Sequence, residues 1–281
     1  MSEPLTNLDQ LISVLEIPTD TLIVFHRSPD SDAVGSAFAL QRVLEQLGSP
    51  TRCICCNEVP ANLQFLMNAV QESVLPEIVL SDFEPARIIT VDTASLAQMG
   101  EVANLFGDRV DLMIDHHESD APYGAQAYIR EGAAATGEII FDLIKKLASE
   151  ERITIDEEMC IDLYAAISGD TGCFRYSNVT PKTHLRAAEL VASGIDCAEI
   201  NRRLFENKSL ERLRAQSAAI SNMELFADGK IAVVTFPYAL KAALGLGDDD
   251  LGALVEGAVK LNSIKDGDKI LISEGCTHHR Q

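Results

Sequence analysis

Strand-length apolar runs alternate with helix-length amphipathic patterns through the first two thirds of the chain, and this alternation points to a parallel sheet with helices on both faces. Thr21 to Phe25 (TLIVF) is the first such run. Behind it Val34, Phe38, Leu40, Val43, Leu44 and Leu47 recur at near-helical spacing, with Gly48 as a stop. TRCICC (Thr51 to Cys56), ARIITVD (Ala86 to Asp92) and VDLMIDHH (Val110 to His117) predict further strands, and a helix is expected from Thr136 to Ala148. From about Pro181 the pattern is helical, through HLRAAELVASGI, AEINRRLF and a long stretch from Ser209 to Phe226. KIAVVTFP (Lys230 to Pro237) restarts a strand, and GLGDDD (Gly245 to Asp250) suits a solvated loop or helix entry. The expected organisation is an α/β domain over 1–195, a helical linker over 196–226 and a smaller α/β domain over 227–281.

Polar residues fall at one place in this pattern. His26, Asp92, Asp115, His116 and His117 all lie at the C-terminal ends of expected strands, the edge where open α/β sheets bind ligands.

Charge narrows the partners. The 281 residues carry 43 acids against 23 bases, a formal charge of −20, and such a field repels polyanions unless local cations intervene. Sequence-specific DNA reading is disfavoured on this ground, and none is expected. No apolar run approaches the roughly 18 residues a membrane span needs, and the N-terminus lacks the basic and apolar regions of an export signal, so a cytoplasmic protein without membrane contact is expected. Seven cysteines then read as thiols. Cys53, Cys55 and Cys56 cluster without a matching second pair, which suits strand cysteines better than a metal site.

The segment FHRSPDSDAVGS (Phe25 to Ser36) offers one imidazole and two carboxylates, His26, Asp30 and Asp32, on a loop entering a helix. Taken alone, helix capping by Asp30 or Asp32 explains it slightly better. Asp92 closes a strand in ITVDTAS, Asp115, His116 and His117 close another in MIDHHES, and Asp170 lies in the Gly-flanked turn ISGDTGCF. Each has a plain reading as cap, surface pair or turn. Their joint placement on one sheet edge is what those readings do not explain. Carboxylate and imidazole without thiolate suit Mn²⁺ or Mg²⁺ better than structural zinc. There are more candidates than one ion needs. Two ions about 3.5–4 Å apart with a bridging carboxylate would use them all and suit in-line attack on phosphorus.

In the order HxxxDxD, strand-end Asp, DHH, GDTGxF, these motifs resemble the DHH phosphoesterase family, whose name is the tripeptide at Asp115, His116 and His117. Gly169 to Leu190 (GDTGCFRYSNVTPKTHLRAAEL) is similar to the family's bifunctional oligoribonuclease and 3′-phosphoadenosine-5′-phosphate phosphatase branch. The resemblance spans about Leu11 to Ala258 and makes the first domain the catalytic one. It implies that His26, Asp30 and Asp92 hold one ion, and Asp32, Asp92, His116 and Asp170 the other, Asp92 bridging. It implies that His117 faces substrate and serves the leaving oxygen, that Asp115 orients a histidine, and that Ser36, Arg175 and His184 contact phosphate or nucleotide. The implied cofactors are two divalent ions, Mn²⁺ first and Mg²⁺ as alternative. The implied substrates are short RNA oligonucleotides and 3′,5′-bisphosphonucleotides.

Two features depart from the family pattern. The glycine-rich GGGH segment of its second domain is absent, so that domain is expected to be incomplete and to leave an apolar face, favouring association such as a homodimer. The tail, Ile264 to Gln281, resembles part of the FeFe-hydrogenase maturation GTPase, where Cys276 and His278 would begin a cluster motif. Its later HCxxC half is missing, so the tail reads as a strand and turn or a gene-junction segment rather than a cluster site. The alternatives to a nuclease and phosphatase are an inorganic pyrophosphatase or polyphosphatase, and a nucleotide-binding protein with little turnover.

Overall fold

The computed structural model describes residues 2–67, 71–118, 121–207, 210–226, 231–237 and 269–275. The chain divides into two compact units, Met1–Glu206 and Asn207–Gln281. The first is built on six parallel strands, β1 (Glu3–Pro4), β2 (Thr21–Val24), β3 (Thr51–Ile54), β4 (Arg87–Val91), β5 (Leu112–Asp115) and β6 (Gln126–Ile129), in the order β1-β6-β5-β4-β2-β3. Its helices are α1 (Leu8–Leu15), α2 (Ser31–Gln46), α3 (Pro76–Val79), α4 (Val102–Phe106), α5 (Thr136–Ser149), α6 (Glu157–Asp170), α7 (Pro181–Ala192) and α8 (Cys197–Asn201).

Alternate strand residues enter two cores. Ile23, Cys53, Ile89 and Leu112 pack with Phe38, Ile140 and Leu163 of α2, α5 and α6. Leu22, Ile54 and Ile88 pack on the other face with Val79 and Val102 of α3 and α4, and with Met99. Burial on both faces is why these strands are mostly apolar rather than alternating. The chain runs from β2 outward to β3, then crosses back to β4 on the other side of β2. The strand order therefore reverses between β2 and β4, the place in an open parallel sheet where ligands bind at the strands' carboxyl ends. One close approach fixes the helix layer: a Cβ on Gly35 of α2 would lie 2.3 Å from the backbone oxygen of Asp162 in α6.

The structure trims and extends the sequence expectation. The strands stop earlier, so His26, Asp92, His116 and His117 lie just beyond strand ends, while Asp115 is the last residue of β5. Asp170 closes α6 rather than sitting in a turn. The two-residue β1 carries too little pattern to be foreseen, whereas α1, with Leu8, Leu11, Ile12 and Leu15 at helical spacing behind the Asn7 cap, did carry a signal. Cys53 and Cys55 are buried thiols, and the six described cysteines are all free. Burial pushes the Cys55 thiol up to about 12 and Cys53 well above the ordinary range.

In the second unit α9 (Leu210–Ser221) precedes a sheet of β7 (Met223–Phe226), β8 (Ile231–Pro237) and β9 (Lys269–Gly275), with β7 antiparallel and β9 parallel to β8. The helix expected to run to Phe226 ends at Ser221, because the next residues pair with β8 from Met223 to Phe226. Within the tail, Lys269–Gly275 forms strand β9. Gly245 to Asp250, Cys276 and His278 lie outside the described residues. No described helix is long and apolar enough to cross a membrane.

Candidate metal centre

The loop after β2 carries the first group. Asp30 caps α2, its Oδ1 accepting the backbone N–H groups of Asp32 and Ala33 at 3.0 Å, while its Oδ2 lies 3.6 Å from His26 Nε2. Capping and facing a histidine thus use different oxygens of one carboxylate. Asp32, fully buried in the first turn of α2, is cradled by three donors. Its Oδ1 accepts from Ser36 Oγ and Gly137 N, each at 2.9 Å, and its Oδ2 from Thr136 N at 2.7 Å. Thr136 and Gly137 open α5, where unpaired N–H groups favour an anion.

Asp92, just past β4, adopts φ +51, a left-handed conformation that Asp tolerates better than most residues. Its Oδ2 lies 3.7 Å from His26 Nε2, and its Oδ1 lies 3.7 Å from His116 Nε2. Asp115 Oδ1 accepts from the backbone N–H of His116 and His117 at 2.7 and 2.9 Å and pairs with His117 Nδ1 at 2.8 Å. The His117 ring is half exposed, and the bond to Asp115 raises its pKa.

His116 shows what the cluster lacks. Its Nδ1 lies 3.2 Å from Ala133 O, and a carbonyl only accepts, so the proton sits on Nδ1. The buried Nε2 has no hydrogen-bond partner and faces Asp170 Oδ2 at 3.0 Å, Asp92 Oδ1 at 3.7 Å and Asp32 Oδ2 at 3.8 Å. A ring nitrogen aimed at three carboxylates is a setting that positive charge between them would relieve. Without a metal, a proton serves: burial opposes it, but Asp170 and Asp32 hold the imidazole at about 9. The carboxylates show the same deficit. Burial, then the charge of Asp170, pushes Asp32 up to about 8, and burial, then Asp32, pushes Asp92 well above its ordinary range. Asp30 is held low by His26 although burial works against it.

Three groups of ligand atoms form, each within 4.8 Å: His26, Asp30 and Asp92; Asp32, His116 and Asp170; and Asp92, Asp115, His116 and His117. Oxygen and imidazole donors, an orphaned nitrogen and carboxylates short of positive charge together fit divalent cations.

Of the three residues expected at substrate, one is buried and two are exposed. Ser36 is fully buried beneath Asp32, so its hydroxyl supports that carboxylate from behind and has no opening to a ligand. Exposed Arg175 donates from Nε to Gly172 O at 2.5 Å. Exposed His184 on α7 stacks on Phe174, ring centres 5.6 Å apart. Sequence reasoning missed Thr136, Gly137 and the Ala133 carbonyl, which act through backbone or a hydroxyl. A Thr-Gly pair opening an expected helix was the one available signal.

A family model described as DHH family, N-terminal domain, matches residues 20–167, and one described as Hydrogen maturase F tetramerization domain matches residues 252–281. The probable bifunctional oligoribonuclease and PAP phosphatase NrnA of Streptococcus mutans is 27% identical over 265 residues, covering 93% of this chain and 80% of that protein. The bifunctional oligoribonuclease and PAP phosphatase NrnA of Thermus thermophilus is 31% identical over 248 residues, covering 84% and 69%. In fold, the chain is similar to an exopolyphosphatase-related protein from Bacteroides fragilis, with a TM-score of 0.81 at 23% identity over 92% of this chain and 77% of that one.

Proposed function

The chain belongs to the DHH family of hydrolases, and from that premise we propose that it is a divalent-metal-dependent phosphoesterase acting on short oligoribonucleotides, releasing mononucleotides, and on adenosine 3′,5′-bisphosphate, releasing AMP. One observation carries the metal part of the reading: the two oxygens of Asp92 are turned to two histidines, His26 and His116, each 3.7 Å away. His26, Asp30 and Asp92 hold one ion; Asp32, Asp92, His116 and Asp170 hold the other. Two divalent cations there, Mn²⁺ in first place and Mg²⁺ as alternative, supply the positive charge a phosphate ester needs to enter an acidic pocket and acidify water for attack.

The protein's own groups do the rest. Thr136, Gly137 and Ser36 fix Asp32 so that its charge does not turn away. Asp115 takes His117 by Nδ1, which leaves the other ring nitrogen to give a proton to the leaving oxygen. Arg175, exposed on the segment following Asp170, is the candidate phosphate contact. The substrate class rests on the two NrnA relatives.

The test is turnover by chelator-treated protein given Mn²⁺ or Mg²⁺ and, separately, pApA, adenosine 3′,5′-bisphosphate and pyrophosphate. AMP from the first two, absent with chelator and in Asp92→Asn, supports the proposal. Release from pyrophosphate alone makes the protein a pyrophosphatase, and ion binding without any turnover makes it a binding protein.

A further inference from the structure

On the reading that His116 and Asp170 share an ion, we propose that Asn178 is a positioning residue that locks those two ligands together through the backbone. Its Nδ2 donates to Ala134 O at 3.0 Å and to Asp170 O at 3.1 Å, so both amide hydrogens are used and the end of α6 is tied to the turn at Ala133–Ala135. That turn holds the other ligands. The Ala133 carbonyl takes His116 Nδ1, and Thr136, the next residue after the turn, takes Asp32 through its N–H and Asp92 through its hydroxyl.

The peptide between Ala133 and Ala134 is gripped at its other end too. Its N–H donates to Glu138 Oε2 at 3.3 Å, and that oxygen is paired with Arg186 Nη1 at 3.3 Å. A carboxylate on the N–H side makes the carbonyl facing His116 a better acceptor, as outer partners of metal-binding histidines do. Asn178 completes this frame by fixing the following carbonyl.

The chain spends conformational energy to bring Asn178 there. Between Asp170 and Asn178, Gly172, Cys173 and Phe174 all have positive φ, 54°, 58° and 61°. Consecutive left-handed residues are costly and persist only where their surroundings hold them. Here Cys173 N donates to Ser168 O at 2.7 Å, Phe174 N to Thr171 Oγ1 at 3.1 Å, and the Phe174 ring lies against His184. The reversal returns the chain to the carbonyl of Asp170, in the last turn of α6.

Asn178 is itself exposed, so its replacement removes two hydrogen bonds without opening the core. Mn²⁺ would be titrated calorimetrically into metal-free wild type, Asn178→Ala and Asn178→Asp, with melting of each metal-free protein followed alongside. Asp has the shape of Asn but cannot donate, and its negative charge alone would strengthen cation binding. The expected result is that both variants bind one of two ions about 10- to 100-fold more weakly, the other ion unchanged, with metal-free melting as in wild type. Wild-type affinities in both variants, or a loss that only follows a lower melting temperature, would overturn the proposal and leave Asn178 as a helix cap. A wild-type protein that binds no Mn²⁺ would remove the metal reading and this proposal together.

Discussion

Thr136 donates its hydroxyl to Asp92 Oδ1 at 3.0 Å and its backbone N–H to Asp32 Oδ2 at 2.7 Å, so one residue at the start of α5 holds carboxylates from two other elements. Thr136→Val keeps the shape and the N–H but leaves the buried Asp92 oxygen without its donor. Turnover at saturating Mn²⁺ is expected to fall about 10- to 100-fold, as when outer partners of metal ligands are removed. Thr136→Ser retains the hydroxyl and should recover most of the rate. Equal activity in the Val variant and wild type would mean the hydroxyl does not orient Asp92.

Asp92→Asn should move stability and function in opposite directions. Burial and neighbouring carboxylates make the charge of Asp92 unfavourable in the metal-free fold, and Asn is among the few residues that accept φ +51. Melted in chelator, the Asn variant is expected to be more stable than wild type. It should gain nothing from Mn²⁺ and show no turnover, the trade-off seen where a site is built for function rather than stability. Asp92→Ala, lacking tolerance for the left-handed backbone, should not share the gain.

The metal-free protein should lose stability as pH rises from about 4 to about 9. Burial raises Asp162, whose oxygens both lack hydrogen-bond partners, and Asp32 and Asp92 are raised at the site. The fold therefore binds these protons more tightly than the unfolded chain. Their stabilisation is complete below the ordinary carboxylate value of 3.8 and, for Asp32, is lost as pH rises through about 8. His116, at about 9 against an ordinary 6.5, has the same sign, since its stabilisation is complete below 6.5 and disappears as pH passes 9. With Mn²⁺ present the slope should reverse between about pH 6 and 8, because ions need these groups deprotonated. Melting temperature against pH, with chelator and with Mn²⁺, measures both slopes, and parallel curves would contradict the argument.

The Asp115 and His117 pair predicts a pH effect on turnover. The hydrogen bond to Asp115 raises the His117 pKa, which keeps an acid protonated to higher pH. In Asp115→Asn that support is lost, so the basic limb of the kcat profile should move to lower pH. His117→Ala should lower kcat by about 10²- to 10⁴-fold, the range of a lost general acid, with Mn²⁺ affinity nearly kept. A basic limb that stays in place in Asp115→Asn would assign it to some other group.

Most of the sheet and the candidate ligand positions clustered there were legible because apolar runs and strand-end polar residues leave a mark in the order of residues. TLIVF, ARIITVD and VDLMIDHH carry that mark, and β1, with two residues, does not. At the site, residues that act through a side-chain carboxylate or imidazole were visible. Ala133, Gly137 and the backbone of Thr136 were not, since any residue supplies a peptide N–H or carbonyl. Ser36 was misplaced because its spacing from Asp32, one helical turn, fits a supporting hydroxyl as well as a substrate contact, and only burial decides between them. The left-handed turn at Cys173 and Phe174 had no signal, because neither residue favours that conformation.

The α2 and α6 contact couples packing to the site and gives a last prediction. α2 carries Asp30 at its cap and Asp32 in its first turn, α6 ends on Asp170, and the two helices touch where Gly35 meets the backbone of Asp162. In Gly35→Ala the new carbon would sit 2.3 Å from a backbone oxygen, which cannot rotate aside as a side chain could, so the helices must part. Overpacking of this kind costs about 1–3 kcal/mol. On the proposed reading both helices bear metal ligands, so Mn²⁺ affinity should fall along with melting temperature. Gly107→Ala is the control, since a carbon there makes only ordinary contacts with Leu96 and Ala103, and should leave both quantities unchanged. Loss of stability in Gly35→Ala with wild-type Mn²⁺ binding would show that the site tolerates separation of α2 from α6, and that Ser36 and the start of α5 suffice to hold Asp32.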